Sequence, residues 1–309
     1  MTFKILSATL ILFAFNACIL RSKAKMEKFP LFINEGRLNT TWQVDSHLKA
    51  NVFLESGFPE IIFDNDLADA LLSSNSKLVR TASEASVNTW GTTENLPVVY
   101  KISGEMNLYG NLRQINALVV DLSEHEVWAG YDIIFPIRSF NVPTAINFAD
   151  SLIEIGDGVI DNLISYEKYE ADFDKEVNGL FAVLSLVVYD SLNVADTISG
   201  NFLFDLGASN AVYLNREKRE VEFFLKKTKR MHLDSSRFTA LPAQRMAIIM
   251  PEKFKLGSID VEDQFIVVMD MGSENSSQQY IGAIGNSLLK DRRIVFDFNR
   301  EEVYLKVIR

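Results

Sequence analysis

The chain has 309 residues, 48% of them apolar and 23% charged, with only 15 glycines and 7 prolines. That is enough apolar material for one large domain or two halves with a core, and it leaves no long disordered linker. A formal charge of −10 provides no basic stripe to displace counterions from phosphates, which excludes nucleic acid as a partner.

In chain order, Lys4 precedes an apolar run, Ile5 to Phe15, too short to cross a bilayer as a helix but of the size of an export-signal core. Cys18, the only cysteine, follows in a setting that resembles the lipobox of bacterial lipoproteins. Residues 1–25 are therefore expected to be a signal segment with Cys18 as the lipidation site. The protein is expected to be exported to the periplasm or cell envelope and to touch the membrane only through that lipid anchor. A lone thiol forms no internal disulfide.

Asn65 to Ser74 carries leucines at 67, 71 and 72, with Asp64 or Asn65 able to cap it, and reads as a short amphipathic helix. The runs 117–122, 181–189, 245–250, 265–271 and 293–298 are short, rich in Val and Ile and bounded by turn residues, which predicts strands. Glu167 to Glu176 reads as an acidic, solvated crossover, Arg216 to Lys227 as a second helix, and Lys226 to Arg230 as a solvated helix end. The fold class is all-β with a few short helices.

FLFDLGASN, Phe202 to Asn210, carries Asp205 out of a wholly apolar run and into a turn of small residues. A carboxylate led into an interior is costly unless something pairs with it or uses it. Shifting the chain by 150 residues lays Glu55-Ser56-Gly57 on Asp205-Leu206-Gly207, Ile62 on Val212, Ile134 on Ile284, and Phe148 and Ile155 on Phe298 and Leu305, all without a gap. An apolar strand reaching an acid, turning at a glycine and resuming as a strand thus occurs twice. The expected organisation is an N-terminal lobe over 26–160, a crossover over 161–176 and a C-terminal lobe over 177–309.

The second copy resembles the aspartic protease superfamily, in particular exported, retropepsin-related bacterial proteins. FLFDLGASNAVYL is similar to the family's apolar-Asp-Thr-Gly-Ala segment, and AIGNSLLKDRRIVFDFNREEVYL to its apolar-apolar-Gly segment, short helix and closing hairpin. The resemblance implies a two-lobed, pseudo-twofold β-barrel architecture with the acid loops facing each other. It implies Asp205 and Glu55 as the catalytic carboxyls, with Ser56, Gly57, Leu206, Gly207, Ala208 and Gly285 supporting them. Ser86 to Asn95, with Trp90 and Gly91, becomes the candidate for the flap that closes over substrate.

Two carboxyls in such a site hold one water. Like charges about 3 Å apart cannot both ionise, so one acid stays protonated while the other acts as base. The implied activity is general acid–base hydrolysis of peptide bonds without a covalent intermediate, by a monomer acting on a peptide or protein.

Four positions depart from the family's pattern. Glu55 replaces an aspartate, and its extra methylene carries the carboxyl about 1.5 Å further. Leu206 has no hydroxyl to grip the opposite loop, Phe135 stands where the second copy has Gly285, and the flap candidate lacks an obvious Tyr. These departures define the alternative, an inactive homologue that binds an extended peptide or envelope partner between the lobes. His47, His125 and His232 are isolated and the cysteine stands alone, so no metal or other cofactor is expected.

Overall fold

The computed structural model describes residues 26–34, 36–88, 95–123, 125, 128–174, 179–233, 247–270 and 280–306. Strands dominate among them and the helices are short, as the sequence pattern predicts. The strand Gly179–Tyr189 shows why: Leu184, Leu186 and Val188 are buried while Val183 and Ser185 between them are exposed, the period-two pattern of a sheet with one covered face.

The first helix spans Asn65–Ser74, and Asp64 caps it by accepting a hydrogen bond from the Asp66 N–H at 3.0 Å. Leu67, Ala68 and Leu71 form its buried stripe. The second helix, Arg219–Lys227, starts three residues later than the polar run suggests. Asn215 first forms a turn, its side chain accepting from the Glu217 N–H and its carbonyl from the Lys218 N–H. The basic run beyond it is a helix end, with Arg230 paired to Asp190 and Asp196.

Two large sheets repeat one pairing scheme. In the eight-stranded sheet, Lys49–Glu55 runs parallel to Ile133–Pro136, which is antiparallel to Ile61–Asp64, itself parallel to Asn111–Val120. In the ten-stranded sheet, Ala195–Phe204 runs parallel to Tyr280–Ile284, which is antiparallel to Val212–Asn215, itself parallel to Ile266–Met269. Ile62 pairs with Ile134, and Val212 with Ile284, so the shift of 150 found in the sequence reappears as a shared register.

A six-stranded sheet joins the two halves of the chain. The hairpin Thr144–Asn147 with Leu152–Ile155 pairs Thr144 with Ile155, and the hairpin Arg293–Asp297 with Glu302–Lys306 pairs Ile294 with Leu305, again 150 residues on. The two hairpins meet at their first strands, where Ala145 faces Val295. Glu154, buried in this sheet, accepts from Arg293 Nε at 2.6 Å and pairs with Lys28 at 2.9 Å. Burial alone would raise the Glu154 carboxyl, but the bonds from Lys28 and Arg293 outweigh it and hold the acid below its usual range.

The described part of the acidic crossover, 161–174, carries two strands. Tyr166–Glu170 is the edge strand of the six-stranded sheet, paired with Glu302–Lys306, and Asp172–Asp174 pairs with Gly179–Tyr189. Backbone hydrogen bonds override its acidic composition, since one side of an edge strand faces water and tolerates charge.

Candidate active site

Each acid stands where a buried strand runs out. Glu55 is the last residue of Lys49–Glu55, and Asp205 directly follows Ala195–Phe204, with its N–H donating to the Ile284 carbonyl at 2.9 Å. Leu54, Leu203 and Phe204 behind them are buried, so the apolar strands fix both loops while their tips meet.

The structure brings Glu55 and Asp205 together: one point, the place a Cβ would take at Gly57, lies 3.6 Å from Glu55 Oε1 and 4.0 Å from Asp205 Oδ1, and each acid acts on the other's titration. Both residues keep part of their surface accessible although the carboxyl groups are tightly surrounded. Glu55 Oε1 accepts from the Ser56 and Gly57 N–H groups, each at 2.9 Å, and Asp205 Oδ1 accepts from the Gly207 N–H at 2.9 Å.

Desolvation, followed by the neighbouring Asp205 charge, pushes Glu55 well above the usual carboxyl range against the pull of its two amides. Desolvation also raises Asp205, opposed by the Gly207 N–H, the hydrogen bond from Glu55 and the Ala208 N–H. Both acids are raised and they titrate as a pair, the behaviour of two carboxyls that hold one proton between them. Burial, and secondarily the Asp205 charge, also raises the Tyr280 hydroxyl, which stays protonated.

The glycines explain how a glutamate fits. A Cβ at Gly207 would collide with Glu55 Oε2, whereas one at Gly57 would lie 3.6 Å from Glu55 Oε1 and 4.0 Å from Asp205 Oδ1, at ordinary contact. The additional methylene of Glu55 thus carries its carboxyl into space that only a glycine at 207 leaves open. At Gly285 a Cβ would run into the carbonyl oxygens of Asn210 and Ala208, so the backbone passes there at close range.

Ser56 supplies the cross-half grip. Its Oγ donates to the Phe204 carbonyl at 2.8 Å and accepts from the Leu206 N–H at 2.7 Å. Leu206 returns no such bond and is buried among apolar residues. The Ser56 N–H turns instead to the carboxyl of Glu55. Phe135 does not fill the seam. Its ring points into the core, with centroids 4.8 Å from Trp42 and 4.8 Å from Phe140, because Phe135 pairs with Leu54 at a strand end that continues into Pro136.

Of the flanking candidates, Trp90, Gly91 and Cys18 lie outside the described residues. The ladder leading into the flap candidate is described: Ser86–Asn88 pairs antiparallel with Asn95–Pro97. Among the described residues no three His, Cys, Asp or Glu side chains gather as metal donors, and no helix is long and apolar enough to cross a membrane. A groove of about 690 Å³ beside Arg219–Lys227, lined partly by Glu222, Lys226 and His232, lies apart from the acid pair.

Sequence reasoning missed Asn286. This residue is 3% exposed, and its Nδ2 donates to the Leu206 carbonyl at 2.5 Å and the Gly36 carbonyl at 2.9 Å. Its signal was a polar residue directly after the apolar run ending at Gly285, where the first copy has Pro136. No protein-family model matches the chain, and no curated protein matches it.

Proposed function

We propose that this chain is an exported aspartic-type endopeptidase whose two halves act as pseudo-twofold lobes, with Glu55 and Asp205 activating a water between them. The observation that carries the reading is the contact of two carboxyls, 150 residues apart in a repeated chain, in surroundings that raise both of them. A structural acid at a strand end needs no second acid against it, and such a pair is stable only with a proton between its members.

In the proposed reaction Asp205 takes a proton from water as the oxygen attacks the peptide carbonyl carbon, and Glu55 gives its proton to the carbonyl oxygen. The resulting diol collapses with cleavage of the C–N bond. The leaving nitrogen takes the proton held by Asp205, and Glu55 recovers one from a diol hydroxyl. An extended peptide crossing above the pair, covered by the hairpin built on Ser86–Asn88 and Asn95–Pro97, is the substrate the reading implies. Residues 1–25 with Cys18 give the proposed compartment, the cell envelope with a lipid tether, and cell fractionation of Cys18→Ser is its check.

The test is peptide cleavage from acid to neutral pH by the parent and by Asp205→Ala. The variant is expected to lose roughly 10³-fold in kcat/KM. The parent should give a bell-shaped profile: activity rises as Asp205 ionises and falls as Glu55 loses its proton. Both limbs should lie above the usual carboxyl range of about 4, because burial raises both groups. Equal cleavage by parent and variant would dispose of the enzyme. Absence of cleavage alongside saturable binding of an extended peptide would leave the inactive homologue, a reading favoured by the missing hydroxyl at Leu206.

A further inference from the structure

The Leu206 peptide unit is held on both sides by side chains. Its N–H donates to Ser56 Oγ at 2.7 Å, and its carbonyl accepts from Asn286 Nδ2 at 2.5 Å. The same Nδ2 reaches the Gly36 carbonyl at 2.9 Å, across 250 positions of sequence, in the turn between the strands Phe32–Asn34 and Arg37–Gln43 of the first half. That turn packs against the acid loop. Gly36 has φ +78°, and a Cβ there would lie 2.7 Å from the Cβ of Ser209.

We propose that Asn286 is a positioning residue that supplies the second cross-half hold on the acid loops, standing in for the hydroxyl that position 206 lacks. This rests on the acid-pair reading for its purpose, though not for its geometry. By the repeat, a hydroxyl at 206 would face the Leu54 carbonyl and the Ser56 N–H, as Ser56 Oγ faces the Phe204 carbonyl and the Leu206 N–H. With leucine at 206 that bond is gone. The Asn286 amide, 80 positions further along the chain, ties the same peptide unit to the first half through Gly36 instead.

Two observations favour a specific role over filling space. Pro136, the counterpart of Asn286 in the first copy, has no donor to offer, so the hold is one-sided where the lost hydroxyl is one-sided. Asn286 Oδ1 is buried and has no hydrogen-bond partner among the described residues. A buried amide with one end unpaired is costly, and its two Nδ2 bonds are what that cost maintains. Its own N–H donates to the Ala208 carbonyl at 2.8 Å, so the residue is fixed against the loop that it holds.

The test uses the full chain as parent, Asn286→Ala, Leu206→Thr and the two combined. It reads amide hydrogen exchange along the chain and the carboxyl ¹³C titrations of Glu55 and Asp205. Asn286→Ala is expected to speed exchange at Leu206, Gly207 and Ala208 roughly tenfold or more while leaving the six-stranded sheet unchanged. It should also draw the two carboxyl titration steps closer together. Adding Leu206→Thr should restore both readouts.

A uniform rise at all amides, or a local rise that threonine does not reverse, would overturn the proposal. If Asn286→Ala does not fold, Asn286→Ser, whose hydroxyl serves one carbonyl at a time, should give a smaller rise at the same amides with the same reversal. No local rise would again overturn it. Independent titration of the two acids in the parent would remove the acid-pair reading, and the exchange measurements would still judge Asn286.

Discussion

In the six-stranded sheet Ala145 faces Val295, and the hairpins on either side keep their pairing at a separation of 150 residues. At the acid seam the same separation sets Glu55 against Asp205 and Ser56 against Leu206. The sheet is held by backbone groups, which every residue other than proline supplies alike, so its register survives side-chain replacement. The seam is held by side-chain oxygens and amides, and there the residue type at each position decides which bonds form. With no hydroxyl at 206, the Ser56 N–H serves Glu55 and Asn286 reaches for Gly36.

The comparison can be broken first on the sheet side, where the largest loss of stability is expected. Glu154→Ala leaves Arg293, whose side chain is 13% exposed, without its carboxylate partner. The expected cost is about 3 kcal/mol or more in denaturant unfolding. Because Glu154 titrates below its ordinary range, its contribution is present above the unfolded-state value and is lost as pH falls through the folded one. Parent and variant should therefore converge in acid. A cost that persists unchanged there would show that Glu154 contributes through packing and not through its charge.

A smaller effect sharpens the seam. Gly207→Ala drives a methyl into Glu55 Oε2 and should destabilise by about 2 kcal/mol. In a Glu55→Asp background the shorter side chain withdraws from that space, and the same substitution should cost less than about 1 kcal/mol. Additive behaviour would mean that Gly207 is not there for the glutamate.

The smallest expected effect is a gain. Glu55 is raised in the folded protein, so its ionisation opposes folding: stability is fully present below the unfolded-state pKa and declines as pH rises toward the folded one. Glu55→Gln should abolish cleavage yet gain about 1 kcal/mol at neutral pH, roughly 2 °C or more in Tm. The gain should vanish near pH 4, where both states are already protonated. A loss at neutral pH would show that the acid serves structure rather than chemistry.

Much of the architecture was legible in the sequence because it rests on local apolar runs and their spacing. The strand ends bearing both acids, the Asp64 cap and the repeat all follow from residues close together or at a fixed offset. What escaped notice depends on residues distant in sequence. Asn286 matters through a carbonyl 250 positions away, and the Glu154–Arg293 pair joins positions 139 apart. The strand Tyr166–Glu170 was hidden by its charge, since an edge strand beside solvent has the composition of a loop. Alignment of Phe135 with Gly285 gives its place along the strand but not the direction of its ring, which the structure turns toward Trp42.

The antiparallel contact in which Ala145 meets Val295, its own counterpart, is the arrangement by which two identical subunits form an isologous dimer. Here one polypeptide provides both partners, so assembly does not depend on concentration. In a true homodimer a leucine for the gripping hydroxyl would strike both loops at once and remove every such bond. Covalent joining lets the two copies differ, so that Ser56 bonds across the seam where Leu206 does not, and acids of unequal length, Glu55 and Asp205, stand at matching strand ends.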